Sequence, residues 1–503
     1  MNTAILFDTM SIQQYVFGSN KLRDNLGASY IVENIYGFLD KKTELPNPPL
    51  IKGYIGGGNA LFFTSSEKEA TKIVKEFTTF LLLNYPGVNV SVAIKEEFIS
   101  KSADYSDEIK KLFKILAENK GKYIPINTIP SHGITATCPF SSSSVEDIIV
   151  NDENGKKSYD VISSVTKSKR SLKKEIDGEG EKILIEAGLP NYRFTDEIDK
   201  LGQKRNEDSH IAVVHIDGNG FGKHFIEKKS VEETNELSLK VKEAVRDAFK
   251  YSLNSYLEIE ESIKHLIEDY NFYNNILPIR PIVLGGDDVT FVCHGKLGIW
   301  FAKKFMEKFK SNFIDKEQTI PFSSCAGVAI VKTKYPFYRA YQLAEELCNS
   351  AKRKRKKYMD ENDLEEGGNW LDFQLAYSGL GNTLEEIRNL QYLDIKGKKP
   401  LYNRPYCMEE IAGQISIDEL KTHASTLKDT LPNSKIKNLR EMLPRDNDSQ
   451  KIFIEHLKHQ HDEKDGFKDQ ICKSDSAEKI LEKYPFFDMI ELLELYPTNL
   501  LNE

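Results

Sequence analysis

Leu284-Gly285-Gly286-Asp287-Asp288-Val289-Thr290-Phe291 joins two apolar stretches through two glycines and two adjacent carboxylates. The pattern predicts a β-hairpin. Glycine admits backbone conformations that other residues resist, and it lets a phosphate approach the main chain. Adjacent aspartates repel each other unless a cation holds them, so the stretch points to a metal site and to chemistry on phosphates. Gly-Gly-Asp-Asp also describes an ordinary polar turn, and the hairpin alone leaves both readings open.

A second carboxylate strand lies upstream, Ile211-Ala212-Val213-Val214-His215-Ile216-Asp217-Gly218-Asn219-Gly220-Phe221-Gly222-Lys223, an apolar run ending in Asp217 and a glycine-rich turn. Alone, Asp217 reads as a helix N-cap after a strand. Beside the hairpin it completes a carboxylate set. A buried strand delivering one acid and a hairpin delivering one or two more can hold divalent cations about 3.5 to 4 Å apart for in-line phosphoryl transfer. That is the arrangement of a polymerase palm.

The start of the chain repeats the pattern. Thr3-Ala4-Ile5-Leu6-Phe7-Asp8-Thr9-Met10-Ser11 is another apolar strand ending in an aspartate. Tyr54-Ile55-Gly56-Gly57-Gly58-Asn59-Ala60-Leu61-Phe62-Phe63 aligns residue for residue with 283–292, with Gly58 and Asn59 where the carboxylates stand. Helix-like segments follow at 68–83 and 302–312, and apolar strands at 88–94 and 326–331. The expected fold class is α+β: two ferredoxin-like palm (nucleotide cyclase/polymerase) domains in tandem, each an antiparallel sheet with helices on one face. The expected domains are a degenerate first palm at 1–130, a connector or insert at 131–204, a catalytic second palm at 205–358 and a helical C-terminal domain at 359–503. The last rests on helical periodicity in 384–393 and 477–495 without strand alternation.

The 503 residues leave room for three or four domains, and 40% hydrophobic with 29% charged residues is a globular composition. A formal net charge of -8 gives no global basic footprint, so any nucleic acid would need local patches. There is no run of 18 or more apolar residues and no signal-peptide pattern, so a cytoplasmic protein without a membrane partner is expected. Cys138, Cys293, Cys325, Cys348, Cys407 and Cys472 are scattered singly, which predicts reduced, mostly buried thiols. His456, His459 and His461-Asp462 crowd together in a polar context that reads as a solvated helix end, and no role is assigned to them.

The chain resembles the large palm-domain subunit of type III CRISPR effector complexes, whose Gly-Gly-Asp-Asp palm makes cyclic oligoadenylate from ATP. The resemblance runs from Phe7-Asp8-Thr9-Met10-Ser11-Ile12-Gln13-Gln14-Tyr15-Val16-Phe17, Asn20-Lys21-Leu22-Arg23 and Gly27-Ala28-Ser29 to the Asp217 motif and the hairpin. It continues through Cys325-Ala326-Gly327-Val328-Ala329-Ile330-Val331, Tyr335-Pro336-Phe337-Tyr338, Leu343-Ala344-Glu345-Glu346-Leu347, Ala351-Lys352 and Arg404-Pro405-Tyr406. There are departures. The first palm begins at residue 3, where family members often carry an HD nuclease domain first, so this is expected to be a form lacking that domain, without DNA cleavage. The connector holds only Cys138 in place of the family's zinc motif, so no zinc is expected. Asn219 replaces the second acid of the family's Asp-Gly-Asp.

The resemblance implies a nucleotidyltransferase or cyclase that uses two Mg2+ (or Mn2+) ions and ATP, acts in antiviral defence, and associates with CRISPR RNA and other effector subunits or with itself. Asp217 and Asp287 are expected to bridge the metals, with Asp288 as an additional ligand and Ile216 as a further metal-contact position. Nucleotide-binding candidates are Gly218, Asn219, Gly220, Phe221, Gly222, Gly285 and Gly286, with Lys352 reaching the triphosphate and Ser323 and Ser324 touching base or ribose. The glycines read equally as a tight strand-to-helix turn, and the serines as groups satisfying the backbone. Arg353 to Lys357 read as a solvated helix end or a nucleic-acid contact. Gly56, Gly57, Gly58 and Asn59 are acceptor-site candidates or scaffold, and Asp8 is structural. Two other readings stay open: an RNA-binding scaffold subunit that holds ATP without turnover, and a diguanylate-cyclase-like enzyme.

Overall fold

The structure is a computed structural model that describes residues 3–99, 105–122, 133–141, 143–153, 156–204, 209–311, 323–376, 383–460, 467–473 and 475–502. The expected domain boundaries near 130 and 205 lie outside these residues, as do His461 and Asp462. By its internal contacts the chain divides into two units, Met1–Ile198 with Gly220–Lys250 and Pro281–Val289, and Asp199–Asn219 with Tyr251–Arg280 and Thr290–Glu503.

The first palm runs β1 (Thr3–Met10), α1 (Ile12–Phe17), α2 (Leu22–Asn34), α3 (Gly37–Thr43), β2 (Ile51–Gly56), β3 (Asn59–Thr64), α4 (Glu67–Asn84), β4 (Asn89–Lys95), α5 (Tyr105–Lys122). Its antiparallel sheet has the order β2-β3-β1-β4, the split βαβ arrangement. Alternate residues of β1 feed two cores. Ile5 and Phe7 pack with Ile31, Phe62 and Phe77, while Ala4 and Leu6 pack with Leu61, Leu112 and Leu116. α4 therefore covers one face and α5 the other, which corrects the expectation of helices on one face. A strand buried on both sides reads as an unbroken apolar run, so the sequence of β1 carries no alternation to show it.

The connector forms a two-stranded hairpin, β5 (Asp147–Glu153) and β6 (Lys156–Ile162), then α6 (Ser164–Arg170) and α7 (Lys173–Glu186). α6 presses on α2 at Gly27, where a Cβ would overlap the Lys169 carbonyl. The Arg170 guanidinium locks the contact, donating to Asp24 Oδ1 at 2.7 Å and Asp160 Oδ2 at 2.9 Å.

The second palm runs β7 (His210–Gly218), α8 (Phe221–Ile226), α9 (Val231–Ile263), α10 (Asp269–Tyr273), β8 (Ile279–Gly285), β9 (Asp288–His294), α11 (Gly298–Ser311), β10 (Ser324–Lys332), α12 (Phe337–Asn362) and β11 (Trp370–Leu375). After α13 (Leu384–Gln391), the short β12 (Tyr406–Cys407) completes a sheet of order β12-β11-β10-β7-β9-β8. Its inner strands β10-β7-β9-β8 repeat the order of the first sheet. Helices again cover both faces: a Cβ on Gly298 of α11 would meet Ala212 and come within 2.9 Å of Val328. On the other face α12 lies against β10 at Gly327, where a Cβ would overlap the Ala344 carbonyl and the Cys348 amide and sit 2.8 Å from Leu347 Cβ.

The residues after 360 are largely helical, with α14 (Ile417–Thr430), α15 (Asn433–Met442), α16 (Asn447–Gln460), α17 (Ala477–Lys483) and α18 (Phe486–Leu495). β11 and the short β12 are exceptions. Trp370–Leu375 is parallel to β10 and buried at all six positions, so it joins the palm sheet without an alternating pattern. Its polar residues are held by Arg388, which donates to Asp372 at 2.7 Å and Gln374 at 3.4 Å. Arg404 is fully buried between Asp488, at 3.1 Å, and Glu491, which ties β12 to α18. No helix among the described residues is long and apolar enough to cross a membrane.

Two outcomes follow from this packing. Gly327→Ala forces a methyl into the α12 backbone and should lower stability by roughly 3 kcal/mol or more, measured by thermal or denaturant unfolding. His294, buried at the end of β9, accepts a hydrogen bond at Nδ1 from the Lys296 amide at 3.3 Å, which requires a neutral ring. Burial, with the Lys296 and His210 charges, lowers its pKa to about 4. The unfolded value is about 6.5, so this contribution to stability is complete above about 6.5 and is lost as pH falls toward 4. His294→Asn keeps a cap acceptor that does not titrate and should flatten the acid side of a Tm against pH curve.

Candidate functional site

The site is built where β7 meets the β8–β9 hairpin. β7 pairs antiparallel with β10, with Asp217 opposite Cys325 and His215 opposite Gly327. Alternation along a strand sends His215 and Asp217 to the same face. β9 lies on the other side of β7, and the same period brings Asp288 and Thr290 to one face. Ligand atoms of His215, Asp217 and Asp288 all lie within 4.8 Å of one another. Gly286 occupies the left-handed region at φ 59 and turns the hairpin together with Asp287.

The expected acids are thus partly regrouped. Asp217 and Asp288 come together, and the third member is His215; Asp287, placed in the turn, is outside this group. Ile216 points its buried side chain away from the face of Asp217, so only its backbone could meet a metal. His215 escaped the sequence reading because it lies inside an apolar run, although its spacing of two from Asp217 was the available signal. Its Nδ1 is 3.2 Å from Thr290 Oγ1, and the Tyr341 ring of α12 stands edge-on to it at 5.6 Å. Burial drives its pKa down to about 4 against the opposing Asp217 charge, so the imidazole is neutral at neutral pH. Two carboxylates with a neutral imidazole form a donor set that a cation such as Mn2+ accepts, whereas Mg2+ prefers the carboxylate oxygens alone.

α12 brings Lys352 onto Asp217 as a close ion pair. Burial disfavours the ammonium, but the Asp217 charge and hydrogen bond outweigh it and raise the Lys352 pKa above its usual value. The neighbours of Lys352 are otherwise engaged. Lys354 donates to the carbonyls of Asn403 at 2.7 Å and Pro405 at 2.8 Å, and Arg355 Nη2 reaches both oxygens of Glu366 at 2.8 Å. Arg353, Lys356 and Lys357 are exposed. The basic run is therefore half internal.

The nucleotide-binding candidates are dispersed. Ser323 and Ser324 are buried; Ser323 donates to Glu366 at 2.5 Å, and the Ser324 amide donates to Asn369 at 2.7 Å. Asn219 is also buried, its amide group donating to Ser323 Oγ at 2.9 Å and its backbone N–H to Ser323 O at 2.8 Å. Gly220, at φ 77, begins α8, a helix of six residues that contains Phe221 and Gly222; Phe221 packs inward. Gly218 ends β7, and Gly285 ends β8.

The first palm keeps more of this arrangement than its sequence shows. Asp8 lies opposite Asn59 of β3, and Lys120 of α5 pairs with Asp8 at 2.6 Å. Lys120 stands on the helix after the fourth strand, as Lys352 does, so the aspartate–lysine pair is duplicated along with the fold. Gly57 and Gly58 turn the first hairpin at φ 58 and 77. Within the first unit a Cβ on Gly286 would come within 3.6 Å of Gly57 Cα, so the two hairpin turns adjoin.

Residues 210–359 match the family model for Cas10/Cmr2, second palm domain. That stretch is similar to a Cas10-type second palm. No curated protein sequence matches it. Among solved structures it is similar to a chain of a Csm1–Csm4 cassette in complex with pppApApA, at TM-score 0.54 and 11% identity, covering 98% of this chain and 69% of that one. A cassette in complex with cA4 matches at TM-score 0.52 and 12% identity, over 100% and 70% of the two chains. A Csm1–Csm4 subcomplex of the type III-A CRISPR-Csm interference complex matches at 0.51 and 12%, over 98% and 69%. At these identities the likeness is one of fold, and it extends over nearly the whole chain.

The local charge balance is testable without nucleotide. Mn2+ binding followed by electron paramagnetic resonance should be lost in Asp217→Ala and in Asp288→Ala. Lys352→Met removes a competing ammonium from Asp217 and should tighten Mn2+ binding about tenfold.

Proposed function

We propose that this protein is a metal-dependent nucleotidyltransferase that converts ATP to a cyclic oligoadenylate with release of pyrophosphate, in type III CRISPR or related antiviral defence. The observation that carries this reading is the cluster of His215, Asp217 and Asp288 where β7 meets the β8–β9 hairpin of a Cas10/Cmr2-type second palm. Structures of the Csm1–Csm4 cassette with pppApApA and with cA4 support it, since a similar fold there accompanies both a linear and a cyclic oligoadenylate.

Mg2+ or Mn2+ ions bound at the cluster would lower the pKa of an attacking ribose hydroxyl and neutralise triphosphate charge. The residues of the chain divide the remaining work. Asp217 and Asp288 supply hard oxygen ligands, Asp287 adds a carboxylate at the turn, and His215 offers a neutral nitrogen whose ring Thr290 orients. Gly285 and Gly286 leave the hairpin without side chains, so a triphosphate can approach the main chain. Lys352, already beside Asp217, can turn its ammonium to the triphosphate. The first hairpin, Gly56 to Asn59, with the Asp8–Lys120 pair beneath it, takes the acceptor nucleotide in this reading. The Csm1–Csm4 pairing of the similar structures supports a partner subunit as its working context.

The test is ATP turnover with Mg2+ or Mn2+, with pyrophosphate assayed and products identified by mass. Asp217→Asn and Asp288→Asn should each reduce turnover on the order of a thousandfold, the loss expected when an electrostatic contact to the transferring phosphoryl group is removed. Wild-type product from the double variant would refute the assignment.

A further inference from the structure

A second cationic site lies on the other side of α12. Lys354 stands two residues from Lys352, about 200° round the helix, so the face opposite the metal centre carries its own set of cations. There a cavity of about 410 Å³ opens between α12 and the segment running from Arg388 to Gln414. That volume is within the usual range for a small-molecule site and has room for one nucleotide.

Its floor is rigid. Arg388 and Arg404 line it while each is held by buried carboxylates, Asp372 for the first and Asp488 with Glu491 for the second. Lys354 is fixed by two backbone carbonyls. Its rim is open to a ligand. Arg353 is exposed and makes no hydrogen bond or ion pair among the described residues, and Lys357 has only a loose, exposed contact with Glu361 at 3.7 Å. Tyr358 and Tyr402 line the same cavity, with the Arg388 guanidinium over the Tyr402 ring at 4.4 Å, and Ser350 and Gln414 add polar groups.

We propose that this cavity binds a phosphorylated nucleoside, with its phosphate between Arg353 and Lys357 and its base against the tyrosine rings. Guanidinium and ammonium groups with free donors match phosphate oxygens, and the tyrosine rings offer flat apolar faces to a base. Glu361 and Gln414 can take ribose hydroxyls, a role for the one carboxylate in the lining. An acidic peptide would use the cations but leave the rings and the acceptor groups unmatched. The ligand can be a free nucleotide or one residue of an RNA strand, since both present the same phosphate, sugar and base.

The experiment separates this site from the metal centre by using Asp287→Ala/Asp288→Ala protein in EDTA, so its result does not depend on catalysis. The probes are N-methylanthraniloyl-AMP, read by fluorescence, and a fluorescein-labelled hexaadenylate, read by anisotropy. At least one should bind, with affinity falling as salt rises, and Arg353→Ala/Lys357→Ala should weaken that binding about tenfold or more. Arg353→Lys/Lys357→Arg keeps the charges and should retain most of it. Loss for AMP alone assigns a free nucleotide, and loss for the hexamer alone assigns a strand residue. Absence of binding by either probe, or affinity unchanged by Arg353→Ala/Lys357→Ala, overturns the proposal.

Discussion

The contact on which the second palm depends is the seat of α12 on Gly327. Without a side chain at that position the helix backbone reaches the sheet, and Cys348 Sγ meets the Cys325 carbonyl at 3.2 Å. One turn further on, Lys352 is carried over Asp217, the residue opposite Cys325 in the sheet. The same helix closes the face that holds His215 and turns Arg353 and Lys357 toward the cavity behind it. One close approach thus positions the Lys352–Asp217 pair, covers the buried His215 and forms one wall of the cavity behind it.

The duplication of the fold gives an internal comparison. Both palms keep an aspartate at the end of the first strand and a lysine on the helix after the fourth. In the first palm Asp8 and Lys120 face Asn59, and the local charge is balanced. In the second, Asp288 replaces the asparagine and adds a carboxylate beside a neutral imidazole. The second palm thus carries more negative charge than its one lysine offsets, and this is the physical difference between the two arrangements. Asn219, buried against Ser323, belongs instead to a chain of hydrogen bonds through Glu366 to Arg355 that joins the start of β10 to α12.

Much of this was legible because chemistry and geometry coincide in short stretches. The hairpin Gly285 to Asp288, its echo at Gly56 to Asn59, and Asp217 at a strand end are local patterns. Their spacing predicts the tandem palms and brings together two of the three clustered residues. Less legible were elements buried on both sides. β11 shows no alternation, because Trp370–Leu375 packs against neighbours on each face and its polar residues are answered by Arg388, which is distant in sequence. The basic run after Ala351 is uniform in sequence, yet its members point to the acid site, the interior and solvent in turn.

The sequence by itself determined the strand and turn propensities, the repeat, and which palm holds the acids, since these depend on neighbouring residues and on covalent order. Only the tertiary structure decided that His215 joins Asp217 and Asp288, that Lys352 pairs with Asp217 and Lys120 with Asp8, and that Ser323 and Asn219 face inward. Each of these depends on strand register or on how closely a helix lies on a sheet, and such distances arise from packing between segments that no local pattern encodes.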